Sequence, residues 1–218
     1  NESFDSKAVE ASQYEVSPES SDNTAALTDA LTAAGEGGTV LLGLGTFIVE
    51  PEPMRIAEIA RDVLKELAFT IREKRLKLTE RYAKDVPVIS ADPKLVRIIF
   101  QNQLANAVKY TPDKGTVALT IERILKGAPS GGRRAYADSI LITVADTGIG
   151  IPEKDQRKIF SKMFRADNAR EKITEGTGLG LYMIRSLLDH AGGTIWFESK
   201  EGGGTTFCVL LPLEGMIR

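Results

Sequence analysis

Apolar residues recur at three- and four-residue intervals through Ile56, Ile59, Ala60, Val63, Leu64, Leu67 and Ile71. That spacing predicts an amphipathic helix over residues 54 to about 75 with one face laid on a sheet. Residues 76–82 and 87–90 read as short strands. Asp92 and Pro93 then supply a helix cap and a proline at the first helical position, opening a second helix that runs to about residue 110. Alternation follows, with Val117, Leu119 and Ile121 set against Ala118, Thr120 and Glu122, and later Ile140, Ile142 and Val144 against Leu141 and Thr143. These are strands over 116–124 and 139–145, joined by a Gly-rich, Arg-containing hairpin connection at 126–137. Two more helices near 153–164 and 179–191 precede strands at 194–199 and 205–211. Such an order predicts an α+β fold, with three helices packed on one face of a mixed sheet.

Before Pro51 and Pro53 the pattern is weaker. Residues 1–23 are rich in Ser, Glu and Asp and have few large apolar side chains, which reads as a flexible lead-in. Residues 24–34 could form a short helix stopped by Gly35, Gly37 and Gly38, and 39–44 and 46–50 look like strands broken at Gly45. Residues 1–52 therefore read as a flexible or docking segment, and the two prolines mark a boundary.

Composition narrows the chemistry by exclusion. With one cysteine, Cys208, and one histidine, His190, the 218 residues hold neither a disulfide framework nor a thiolate or His-rich metal centre. Twenty-eight basic against 30 acidic residues give a net charge of −2, which offers no electrostatic case for nucleic acid or an anionic membrane as partner. No apolar run reaches the roughly 18 residues that a bilayer span needs. The chain reads as cytoplasmic, and a membrane-anchored parent would contain the same segment.

Three clusters point to a ligand. On the second helix, at about 100° per residue, Asn102, Asn106 and Lys109 share a stripe with Leu95 and Ile99, so amides and a cation replace part of an apolar face. Amide oxygens suit Mg²⁺, and a lysine suits phosphate. Next, Asp146-Thr147-Gly148-Ile149-Gly150-Ile151-Pro152 follows an apolar strand. Its carboxylate at the strand end can accept a bond from an exocyclic amine, and its glycines leave room for a ring. Third, Gly176-Thr177-Gly178-Leu179-Gly180-Leu181 opens a helix, where free N–H groups and the dipole favour an anion. The polar stretch 165–175 before it looks like a mobile lid, not the strand that a dinucleotide fingerprint requires.

Taken together, these blocks are specific. The run Asn102-Gln103-Leu104-Ala105-Asn106-Ala107-Val108-Lys109-Tyr110-Thr111-Pro112 resembles the N box of sensor histidine kinases, and the Asp146–Pro152 run resembles their first glycine box. Ile159-Phe160-Ser161-Lys162-Met163-Phe164-Arg165 is similar to the phenylalanine box, and Gly176–Leu181 to the second glycine box, in the family's order and spacing. The resemblance covers roughly residues 54–212. It implies a Bergerat fold, a two-layer α/β sandwich with a mixed, mostly antiparallel sheet and three main helices on one face, over a catalytic domain at 53–218.

The resemblance also implies roles. Asp146 would bind the adenine amine with Thr205 helping through water, and Gly148, Gly150 and Ile151 would border the base and ribose. Asn102 would hold Mg²⁺, Asn106 and Lys109 would lie near the phosphates of ATP, and Tyr110 beside the nucleotide. Gly176, Thr177, Gly178, Leu179, Gly180 and Leu181 would hinge the lid and cradle phosphate. Phe160 and Phe164 would anchor the lid, with Arg165 reaching the phosphate side. Asn102, Lys109 and Arg165 are thus the catalytic candidates.

Two departures shape the mechanism. Related gyrase, Hsp90 and MutL ATPases have a glutamate base where Asn102 stands, and an amide cannot take a proton from water. The family's acceptor is a histidine on a helical dimerisation domain, whereas His190 ends a helix before Gly192-Gly193 and reads as structural. The expected function is an ATP- and Mg²⁺-dependent protein-histidine kinase domain whose acceptor lies in the parent or a partner chain, with a response regulator downstream. The alternatives are a nucleotide-gated interaction module with little or no catalysis, and an anti-sigma-factor-like serine kinase.

Overall fold

By its internal contacts the chain divides into two units, Asn1–Ile48 and Val49–Arg218. The computed structural model describes residues 8–10, 39–41, 52–130, 133–172, 176–190 and 192–213. In the first unit, strand β1 (Ala8–Glu10) pairs in parallel with β2 (Thr39–Leu41). The lead-in expected to be flexible therefore contains a strand, because the backbone of Ala8–Glu10 finds ladder partners in Thr39–Leu41. The expected helix at 24–34 and strand at 46–50 lie outside the described residues.

The second unit runs β3 (Glu52–Met54), α1 (Ile56–Glu66), α2 (Ala68–Glu73), β4 (Lys77–Tyr82), β5 (Ile89–Ala91), α3 (Pro93–Tyr110) and β6 (Thr116–Ile124). The two-residue strands β7 (Pro129–Ser130) and β8 (Arg133–Arg134) follow, then β9 (Ser139–Asp146), α4 (Glu153–Gln156), α5 (Asp167–Lys172), α6 (Gly180–His190), β10 (Thr194–Lys200) and β11 (Gly204–Pro212). Five strands form one sheet in the order β10-β11-β9-β6-β4, antiparallel throughout except for the parallel β4–β6 pair. The mixed, mostly antiparallel sheet expected from the sequence is therefore present. β3 pairs separately with β5.

Pleating sends alternate side chains to opposite faces. Ile140, Ile142 and Val144 of the central strand β9 are buried with Val117, Leu119 and Ile121 of β6, against Ile56 and Val63 of α1, Phe100 and Leu104 of α3, and Ile184 and Leu188 of α6. Each such side chain contributes about 1.5–3 kcal/mol by leaving water. Leu141, on the other face, packs with Trp196 and Leu210 under Ala135, beside the β7–β8 hairpin. The structure thus has three main helices on one face and a small arm on the other.

Helix α3 begins where local chemistry says it should: Asp92 accepts the N–H of Lys94 at 2.8 Å and Pro93 takes the first position. It ends at Thr111, held extended (ψ 128°) by the proline that follows. Gly192, at φ +71°, closes α6, and Gly193 donates back to Leu188 O at 2.8 Å.

Three expectations need correction. The single helix over 54–75 is instead strand β3 followed by two helices, because Met54 pairs with Ile89 and the chain turns at Leu67, whose ψ of −4° departs from helical geometry. The helix expected at 153–164 stops at Gln156; turns follow that bury Ile159, and Met163 adopts φ +59°. The polar stretch 165–175, expected to be a mobile lid, contains the short helix α5. No helix of the described residues is long and apolar enough to cross a membrane.

Candidate functional site

The central strand β9 delivers Asp146 to the end of the sheet, opposite Thr205 of β11 on one side and Val117 of β6 on the other. Its Oδ1 accepts the backbone N–H groups of Gly148 at 2.8 Å and Thr205 at 3.2 Å. Both of these bonds fall on the same carboxylate oxygen. Burial pushes the carboxyl pKa above its usual value, and the two N–H donors oppose that shift only in part. A half-buried carboxylate is chemically suited to accept a bond from an uncharged donor such as an exocyclic amine.

The loop after Asp146 is held from several sides. Ile149 donates to Tyr110 O at 3.2 Å, which ties the loop to the end of α3, and Ile151 donates to Ser199 Oγ at 2.9 Å. Ser199 Oγ lies 2.8 Å from Thr205 Oγ1, so Ile151 and Thr205 share one hydroxyl network. Gln156 reaches the carbonyls of Ile151 and Ser199, both at 3.0 Å, and Asn168 reaches Gly150 O at 3.0 Å. Gly150 sits at φ +64°, where a Cβ would collide with Lys200 O, so both its conformation and its packing require glycine. Asp146, Gly148, Gly150, Ile151, Tyr110 and Thr205 are thus brought together.

A second group gathers along α3 and the start of α6. Asn102 donates its side-chain N–H to Ile98 O at 3.0 Å, and its Oδ1 stands so near Gly180 that a Cβ there would collide with it. Asn106 lies one turn further along the same face, half-buried. Lys109 Nζ and Arg165 Nε each come within 3.6 Å of the point where a Cβ on Gly176 would stand. Two cations converging on one glycine repel each other, and an anion suits the place. Arg165 also donates to Ala169 O at 3.2 Å, which fixes it to α5. Gly178 backs onto the carbonyl of Phe164, Thr177 Oγ1 accepts the N–H of Leu179 at 3.4 Å, and Leu179 and Leu181 turn into the core.

Phe160 stands apart from both groups. It packs edge-on against Phe197, with ring centroids 5.8 Å apart, and lies under the Arg185 guanidinium at 5.3 Å. Its place is in the apolar layer between α6 and the sheet. A separate cavity of about 180 Å³ near the first turn of α1, lined by Arg61, Tyr82, Lys84 and Val86, contains none of the expected site residues.

Among the described residues no group of three or more His, Cys, Asp or Glu side chains is arranged to hold a metal. A divalent cation here would rest on the Asn102 amide oxygen together with oxygens of the ligand and water, a donor set that fits Mg²⁺. Residues that sequence reasoning passed over are Ser199, Gln156 and Asn168, which hold the glycine loop, and Lys74, whose Nζ donates to the carbonyls of Val108 at 2.7 Å and Lys109 at 3.0 Å. None of them lies in a motif, and no local pattern marks them.

The family described as histidine kinase-, DNA gyrase B- and HSP90-like ATPase matches residues 91–215. The circadian input-output histidine kinase CikA of Synechococcus elongatus is 35% identical over 175 residues, 79% of this chain and 22% of that protein. The chain spans well under half the length of the curated relatives it matches. Among solved structures, the catalytic domain of histidine kinase ThkA superposes with a TM-score of 0.61 at 26% identity, covering 75% of this chain and 96% of that one. Full-length ShkA in complex with AMPPNP superposes with a TM-score of 0.62 at 28% identity, covering 78% of this chain and 32% of that one.

Proposed function

Because this chain belongs to the histidine kinase-, DNA gyrase B- and HSP90-like ATPase family, we propose that residues 53–218 bind Mg·ATP and donate its γ-phosphoryl group to a histidine on a helical dimerisation domain of the parent or a partner chain. The observation that carries the reading is the pairing of opposite chemistries in one region. A half-buried Asp146 carboxylate has one oxygen, Oδ1, taken by two backbone N–H groups, while Lys109 and Arg165 converge at Gly176. Tyr110 belongs to both, since its carbonyl holds the glycine loop and Lys109 precedes it on α3.

Asp146 accepts the adenine amine, and the network of Ile151, Ser199 and Thr205 keeps the loop shaped around the base. Lys109 and Arg165 hold phosphoryl oxygens. Mg²⁺, when bound, neutralises phosphate charge, and Asn102 Oδ1 is the protein oxygen that would hold it. Asn102 cannot deprotonate water as a carboxylate does, so slow hydrolysis is expected. These residues contribute positioning and charge, the terms on which phosphoryl transfer depends most. ShkA, a neighbour solved with AMPPNP, supports nucleotide as the ligand. A response regulator taking the phosphoryl group from the histidine is the further partner implied.

The test has two stages. Calorimetric titration of the chain with AMPPNP, with and without Mg²⁺, should show saturable, metal-enhanced binding. Added histidine-bearing dimerisation domains should then acquire acid-labile phosphate from ATP. Binding without transfer to any such domain would favour a nucleotide-gated interaction module, and no binding by a folded chain would overturn the site.

A further inference from the structure

An α-helix leaves its last four carbonyls without partners of its own. In α3 each of the four is taken from outside the helix. Ala107 O accepts the N–H of Thr111 at 3.1 Å and its hydroxyl at 2.6 Å, and Tyr110 O accepts the N–H of Ile149 at 3.2 Å. The remaining two, Val108 O and Lys109 O, both accept from Lys74 Nζ, at 2.7 and 3.0 Å. Lys74 caps α2, and its own carbonyl accepts the N–H of Lys114 at 2.8 Å. Three residues on, the backbone N–H of Lys77 donates to Gly115 O at 2.8 Å. The end of α2 is thus a brace across residues 108–115.

We infer that Lys74 is a positioning residue for the phosphate side of the nucleotide site, acting through Lys109. The inference rests on the nucleotide-site reading above. The carbonyl that Lys74 holds belongs to the residue whose ammonium meets Arg165 at Gly176. The next residue, Tyr110, carries the carbonyl that anchors the glycine loop. Charge-assisted bonds at a helix C-terminus are favoured by the macrodipole and are stronger than neutral ones. Burial pushes the Lys74 pKa down, and nearby Asp113 opposes that shift, as expected of a cation drawn partly out of water. Losing the ammonium leaves two carbonyls without donors and frees the turn that carries Lys109.

Lys74→Met keeps the stem and removes the donors. In the full chain it should weaken AMPPNP binding about tenfold in the presence of Mg²⁺, while adenosine binding, followed by NMR titration, stays within about twofold. Lys74→Arg should restore most of the loss. Lys109→Met should weaken AMPPNP binding, and the Lys74→Met/Lys109→Met pair should be no weaker than Lys109→Met alone. If Lys74→Met does not fold, Lys74→Leu, which also removes the donors, carries the same comparison. Equal losses for AMPPNP and adenosine, or additive losses in the double variant, would reduce Lys74 to a structural cap and overturn the inference, as would unchanged binding in a folded variant. Failure of the wild type to bind either ligand would instead remove the nucleotide site, and the inference with it.

Discussion

Asn102 donates its amide N–H to the carbonyl of Ile98, one turn earlier, at 3.0 Å. This bond decides which end of the amide is offered, because it occupies the nitrogen and leaves Oδ1 toward Gly180. An acceptor facing a site that also gathers two cations is suited to a metal that those cations do not replace. Asn102→Ala should keep metal-free nucleotide affinity within about twofold and reduce the enhancement by Mg²⁺ about tenfold or more. Paired titrations with and without Mg²⁺ measure this, and an unaltered enhancement would exclude Asn102 as a ligand.

Gly180 is the second half of that arrangement. It stands at the first position of α6, where alanine is the better helix former by about 0.5–1 kcal/mol. A methyl group there nonetheless collides with Asn102 Oδ1. Gly180→Ala should therefore leave the melting temperature nearly unchanged and lower affinity for the Mg·ATP analogue by about tenfold, since the amide must move. Equal affinity in the variant would mean that Oδ1 has room to move without consequence.

Asp146 yields a prediction in both binding and pH dependence. The amide of an Asp146→Asn variant can still accept from Gly148 and Thr205 through its oxygen, but it presents N–H₂ where Oδ2 stood. Nucleotide affinity should fall by about a hundredfold or more as two donors face each other. The wild-type carboxyl titrates above the ordinary 3.8 because of burial. Its neutral form is the one the fold favours, so that contribution to stability is fully present below pH 3.8 and is lost as pH rises through the folded-state value. Asp146→Asn should accordingly be at least as stable as wild type at pH 7, with the difference shrinking as the pH is lowered through that value. Urea unfolding at several pH values checks the sign.

How much of this was legible in the sequence depends on the range of the forces involved. Asp92 and Pro93 opened α3 as expected, and the alternation at 116–124 became β6, because capping, proline geometry and pleating are local. Asp146, Gly148 and Thr205, singled out from the sequence, meet through the two backbone N–H bonds to the Asp146 carboxylate. The break at Leu67 was hidden, since Val63, Leu64, Leu67 and Ile71 keep helical spacing across it. Lys74 was hidden for another reason: its partners lie 34 and 35 residues away, and one lysine in a polar stretch carries no sign of them. Gln156 and Asn168 were missed in the same way, through bonds spanning 43 and 18 residues.

Gln103 departs from the rule that buried polar groups are paired. It is 1% exposed on α3, and neither its Nε2 nor its Oε1 has a hydrogen-bond partner among the described residues. Its neighbours on the helix, Phe100, Leu104 and Ala107, are all buried apolar side chains. Stripping water from an amide without replacing its bonds costs about 1–3 kcal/mol. Leucine has a similar reach and no polar atoms to desolvate. Gln103→Leu should therefore stabilise the fold by about 1–2 kcal/mol, read as a higher urea midpoint with unchanged slope. Because Asn102 beside it points to a different face, nucleotide affinity should hold within about twofold. A destabilised Leu variant would mean that the amide is paired in solution, through an internal water bound to Gln103.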